Sequence, residues 1–142
     1  KDVKNLELAL RVYGHQRSFP PQDCDDTRLE INFIPSNIFA ERVKGKLSMI
    51  KAKGTTPIAR SLEEAAADFP IDNSRNIVIL ITDGKEECGM DPCAVSRLFA
   101  KKGIVIIATI IRQVTNIILS LRIFGLIKLL SLPLIEYNIK TK

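Results

Sequence analysis

Residues 76–93 read NIVILITDGKEECGMDPC, and they decide the fold. Ile77, Val78, Ile79, Leu80 and Ile81 form an unbroken apolar, largely β-branched run. Such a run without alternation suits a strand buried on both faces, as in the parallel sheet of an α/β domain. It stops at Thr82-Asp83-Gly84, where two residues bring oxygen donors and Gly permits a sharp turn. In open α/β sheets ligands gather beyond the carboxyl ends of the strands, which is where Asp83 stands.

The neighbouring segments follow the same logic. Leu6 to Tyr13 alternates, with Leu6, Leu8, Leu10 and Val12 on one face, and stops at Gly14. Residues 15–27, with Pro20-Pro21 and three aspartates, read as a loop, and residues 29–34 as an edge strand ending at Pro35. A helix is expected over 38–52, capped by Ser36 or Asn37, with Ala40, Val43, Leu47 and Ile50 on one stripe. A second helix is expected from Pro57 to about Phe69 with Thr56 as its cap. Asp91-Pro92 opens a third, with Ala94, Val95, Leu98 and Phe99 as its stripe and Gly103 at its end. Residues 104–111 (IVIIATII) are a second buried strand. This order predicts an α/β three-layer sandwich, a doubly wound, mostly parallel sheet with one antiparallel edge strand.

The 142 residues suit one domain. The net charge of +5 is concentrated at one end: residues 112–142 hold five basic residues against Glu136 alone, hence +4. The basic pI therefore describes a tail, and nucleic acid is not an expected partner. The tail's apolar runs are interrupted by Arg122 and Lys128, so a bilayer span is not expected. A closing helix through Ile117, Leu121 and Phe124 is preferred over a membrane-surface helix. Spacing leaves the three cysteines open between a Cys88–Cys93 bridge and three reduced thiols. His15, without a second His, reads as a local hydrogen-bonding residue, and Glu86 and Glu87 as a solvated turn. Thr56 and Asp83, if brought to one sheet end, offer hard oxygen donors of the kind Mg²⁺ takes.

Two stretches, GTTPIARSLEEAAADF (54–69) and RNIVILITDGKEECGMDPCAVSRLFAKKGI (75–104), together resemble a von Willebrand factor type A domain of the bacterial exported kind. LRVYGHQ (10–16) and the Cys24-Asp25-Asp26 loop fit the same pattern, so the resemblance covers about residues 6–111. It implies a partial domain over 1–111 and a divergent tail over 112–142, a packed helix or a frame-shifted end. It also implies a non-enzymatic, adhesion-type module in which a divalent cation (Mg²⁺, or Mn²⁺ or Ca²⁺) is completed by an acidic group of a protein ligand. Thr56 and Asp83 match two of that site's three parts. The third, an Asp-x-Ser-x-Ser loop, has no match in residues 1–142, and its strand is expected upstream of Lys1. The chain as given would then lack a central strand and bind the ion poorly. The exported kind implies an extracytoplasmic location and a Cys88–Cys93 disulfide. Outside the resemblance, Asp83 as a magnesium ligand or phosphoryl acceptor in a hydrolase is the alternative. No phosphate-cradling loop or nucleophile–His–acid set accompanies it. A tail-dependent membrane-peripheral protein is a further alternative.

Overall fold

The computed structural model describes residues 5–110 and 135–141. The chain runs β1 (Leu6–Tyr13), β2 (Thr27–Pro35), α1 (Ser36–Leu47), α2 (Ile58–Asp68), β3 (Arg75–Thr82), α3 (Pro92–Lys101), β4 (Val105–Ile110) and β5 (Ile135–Thr141). It is a mixed α/β structure. One sheet carries the strands in the order β2-β1-β5-β3-β4. β3 and β4 are parallel, while β2, β1, β5 and β3 pair antiparallel in succession. β2 is the antiparallel edge strand the alternation predicts. Among the described residues the mostly parallel pairing is not found, because β5 lies antiparallel between β1 and β3, which point the same way.

Period two sorts β1 onto two cores. Leu8, Leu10 and Val12 pack with Phe39, Val43 and Leu47 of α1. On the other face Tyr13 joins Ile58, Leu62 and Ala65 of α2, Val78 and Leu80 of β3, and Val95 and Phe99 of α3. The small Ala59 and Ala65, fully buried, fit an Ala-rich face that lets a helix approach the sheet closely.

Several boundaries differ from expectation. α1 begins at Ser36 with Pro35 as its N-cap and no side-chain cap, and it ends at Leu47, short of Ile50. Its buried stripe is Phe39, Val43 and Leu47, and Ala40 is exposed. In α3, Leu98 is 52% exposed, so Val95 and Phe99 alone anchor the helix. Asp91 caps that helix as predicted, accepting from the Cys93 amide at 2.9 Å. β4 is not buried on both faces: Val105 and Ile107 are 55% and 38% exposed. Among the described residues, β3 is the one strand paired with β4, so β4 is an edge. Within the tail, residues 135–141 form a strand rather than part of a closing helix. The helix expected through Ile117, Leu121 and Phe124 lies outside the described residues.

Candidate functional site

At the carboxyl end of β1 the chain turns at Gly14, whose φ of +66° suits glycine. The Gly14 carbonyl accepts from the amides of Lys53 and Gly54 at 3.0 and 2.9 Å. The backbones touch there: a Cβ on Gly14 would lie 2.6 Å from the Thr55 carbonyl oxygen, and one on Gly54 would lie 2.5 Å from that of Arg17. Asp26, 2% exposed, closes the knot by accepting from the amides of Gln16 and Arg17. Thr55 and Thr56 are thereby pinned beside the end of β1.

β3 ends at the same side of the sheet. Its buried Thr82 hydroxyl accepts from the Gly84 amide at 3.3 Å, which tightens the Thr82-Asp83-Gly84 turn. Gly84 faces Thr56: a Cβ built there would lie 3.4 and 3.5 Å from Thr56 Cγ2 and Oγ1. The two oxygen-bearing turns therefore meet, as the sequence suggests, with Asp83 exposed to solvent next to Gly84.

Thr56 is not the cap of α2. That helix begins one residue later than expected, at Ile58, with Pro57 as an N-cap that offers no side-chain acceptor. The acceptors come from across the site. Glu86 Oε2 accepts from the Ala59 amide at 2.8 Å and its Oε1 from the Cys88 amide at 2.7 Å. Glu87 Oε2 accepts from the Thr56 amide at 2.8 Å, and the Glu87 amide donates back to the Thr56 carbonyl at 3.2 Å. Carboxylates at a helix N-terminus satisfy free amides and complement the dipole. Glu86 and Glu87 are thus docking residues that hold the 84–88 turn on α2, not a solvated turn. The one signal for them in the sequence is Pro57, which leaves the first turn of α2 without a local cap.

The cysteine pairing corrects the expected one. Cys24 bonds Cys88, and Cys93 is free and exposed. The amide of Cys93 is committed to the α3 cap. Cys24, by contrast, is carried to Cys88 by its neighbours: the Asp23 amide donates to Thr55 Oγ1 at 3.1 Å, and Gln22 Nε2 donates to the Glu87 carbonyl at 2.6 Å. The 15–27 loop is therefore fastened over the same turns that present Thr56 and Asp83.

A second polar cluster lies on β2. The buried Glu30 carboxylate meets Lys46 Nζ and His15 Nε2, each at 2.8 Å, and the Arg28 guanidinium. Burial alone would favour the protonated acid, but the hydrogen bonds from Lys46, His15 and Arg28 outweigh it and hold Glu30 down to about 2. Glu30 therefore stabilises the fold fully above its ordinary value of 4.5, and this stability is lost as pH falls toward 2. Glu30→Gln is expected to lower the urea midpoint clearly at about pH 6 and much less at about pH 2.5. Parallel urea titrations at both pH values check this. His15 is the local hydrogen-bonding residue the sequence suggests.

Thr56 and Asp83 are two oxygen-bearing residues carried by turns at one sheet end. Among the described residues no three His, Cys, Asp or Glu side chains gather as a metal-holding group. Also among them, no helix is long and apolar enough to cross a membrane.

No protein-family model matches the chain, and no solved structure matches it. It is similar to two curated proteins of Bacillus subtilis (strain 168). Identity to the uncharacterized protein YwmD is 35% over 97 residues, which is 64% of this chain and 42% of the relative. Identity to the uncharacterized protein YwmC is 28% over 109 residues, or 72% of this chain and 47% of the relative. The chain spans less than half the length of these curated relatives.

Proposed function

We propose that this chain is part of a von Willebrand factor type A module, a doubly wound three-layer sandwich in its intact form. That module is a non-enzymatic protein-interaction unit. A divalent cation, Mg²⁺ or else Mn²⁺ or Ca²⁺, bridges it to an acidic group on a protein ligand. Thr56 and Asp83 supply two of the donors, and the others come from polypeptide outside this chain. The observation that carries the reading is the position of Thr56: its hydroxyl is not engaged as a cap for α2 and sits against Gly84, beside Asp83. The Cys24–Cys88 bond supports an extracytoplasmic location, where disulfides persist.

Isothermal titration of Mg²⁺ and Mn²⁺ into an N-terminally extended chain tests the proposal. Thr56→Val and Asp83→Ala are each expected to weaken binding on the order of tenfold or more, since Mg²⁺ sheds its waters only for well-placed donors. No binding by the extended chain, or binding indifferent to both substitutions, overturns it.

A further inference from the structure

All three cysteines stand at the carboxyl end of the sheet, and the bond leaves one over. Cys24 and Cys88 are bonded and half-buried, while Cys93 is free and exposed in the first turn of α3. Only Gly89 to Pro92 separate Cys93 from Cys88. A link that short presents the thiol to the bond at an effective concentration on the order of millimolar or above. The link also has room to move, because a Cβ on Gly89 would meet nothing within 4 Å, and Met90 and Asp91 are exposed. What holds Cys93 in place is the start of α3, where the Asp91 carboxylate accepts from its amide at 2.9 Å. An exposed cap bond of this kind opens whenever the helix end frays.

The other side of the bond is lightly held. The 15–27 loop is anchored near its ends, by the Phe19 amide on the Lys53 carbonyl at 2.9 Å and by buried Asp26 on the amides of Gln16 and Arg17. Between those anchors its ties are polar. Gln22 Nε2 donates to the Glu87 carbonyl at the surface, and the Asp23 amide donates to Thr55 Oγ1. The Asp25 carboxylate, 81% exposed, meets Arg60 Nε at 2.9 Å. Surface contacts such as the first and third contribute little, so the disulfide is the strongest tie between residues 20–25 and the 84–88 turn.

We propose that Cys24–Cys88 is an exchangeable latch that Cys93 opens. The Cys93 thiolate attacks Cys88 Sγ, so that the Cys88–Cys93 bond forms as the Cys24–Cys88 bond breaks. The electron pair leaves on Cys24 Sγ, which takes up the proton that Cys93 gave up. One disulfide and one thiol are present before and after, so no outside oxidant or reductant enters. In the exchanged form residues 20–25 leave the turns that carry Thr56 and Asp83. The pairing of the cysteines thereby sets access to the carboxyl end of the sheet. This goes beyond the cation reading and does not depend on it.

The test uses the full oxidised chain, held at about pH 8.5, where a thiol is substantially ionised. Samples are quenched in acid, alkylated with N-ethylmaleimide and cut with trypsin. Cleavage after Lys and Arg places Cys24 on residues 18–28, and Cys88 with Cys93 on residues 86–97. At the start the two peptides are linked and Cys93 carries the label. The expected result is their separation with time, with the label on Cys24 and an internal bond in 86–97. The rate should be on the order of tenfold lower at about pH 7, because the thiolate is the attacking species, and independent of protein concentration. Amide hydrogen exchange supplies the second readout. In the exchanged form the Asp23 amide should exchange on the order of tenfold faster or more, while the Gln16 and Arg17 amides on Asp26 keep their protection. Oxidised Cys24→Ser fixes the exchanged pairing for this comparison. Should that variant not fold, the exchanged fraction of the unsubstituted chain, separated by chromatography, takes its place. A label that stays on Cys93 through a day of incubation overturns the proposal. So does separation whose rate rises with concentration, which marks exchange between molecules. Equal protection of Asp23 in both pairings overturns it as well.

Discussion

Cys88→Ser lowers the unfolding free energy by about 4 kcal/mol, whereas Cys93→Ser leaves it within about 0.5 kcal/mol. The Cys24–Cys88 bond joins residues 64 apart in sequence. Closing a loop of that length removes a large share of the unfolded chain's entropy, which sets the size of the effect in the loop-entropy account. Cys93 closes no loop and is exposed. The cost also has a local component, because the bond fastens the 15–27 loop to the turn that Glu86 and Glu87 dock on α2. Urea unfolding of the oxidised protein and both variants measures it. A Cys88–Cys93 bond would instead make the two substitutions equally damaging, and by much less, since it closes only a short loop.

Arg11→Ala is expected to cost about 3–5 kcal/mol. Arg11 lies within β1 and is 5% exposed. Its Nε and Nη2 each donate to Asp68 at 2.7 Å, and Nη1 donates to Thr27 Oγ1 at 3.2 Å. Truncation leaves the Asp68 carboxylate buried at the end of α2 without its cation, and it opens a void beneath the sheet. A double-mutant cycle with Asp68→Leu separates these terms. Removing both charges should recover a large part of the loss, since replacing a whole buried pair by apolar groups is often nearly neutral. Chemical denaturation of the two single variants and the double variant checks this. Equal losses in the single and double variants would show that Arg11 acts through its packing alone.

The elements legible in the sequence are those whose cause is local. β1 follows from alternation between residues 6 and 13 and the stop at Gly14, and β3 from its β-branched run. The start of α3 follows from Asp91-Pro92, where cap and imino acid are adjacent. Features fixed across long separations were not legible. No local pattern selects Cys24 over Cys93 as the partner of Cys88. Glu86 and Glu87 resemble surface acids until the uncapped N-terminus of α2 is placed against them. β4 reads as buried because apolar runs do not distinguish an interior strand from an edge. The tail's mixture of apolar and basic residues suggests a helix, and only pairing with β1 and β3, more than fifty residues distant, makes residues 135–141 a strand. The convergence of Thr56 on the Thr82-Asp83-Gly84 turn was legible in part, since both stand at element ends. The release of Thr56 from capping was not.

Paramagnetic broadening by Mn²⁺, followed in amide NMR spectra of this chain, tests the cation site most directly, because it detects weak binding by two donors. The signals of Thr56, Asp83 and Gly84 are expected to broaden first, and Asp83→Ala is expected to abolish the effect. Broadening centred instead on the acidic stretch Asp23 to Asp26, or broadening unchanged by Asp83→Ala, would contradict it.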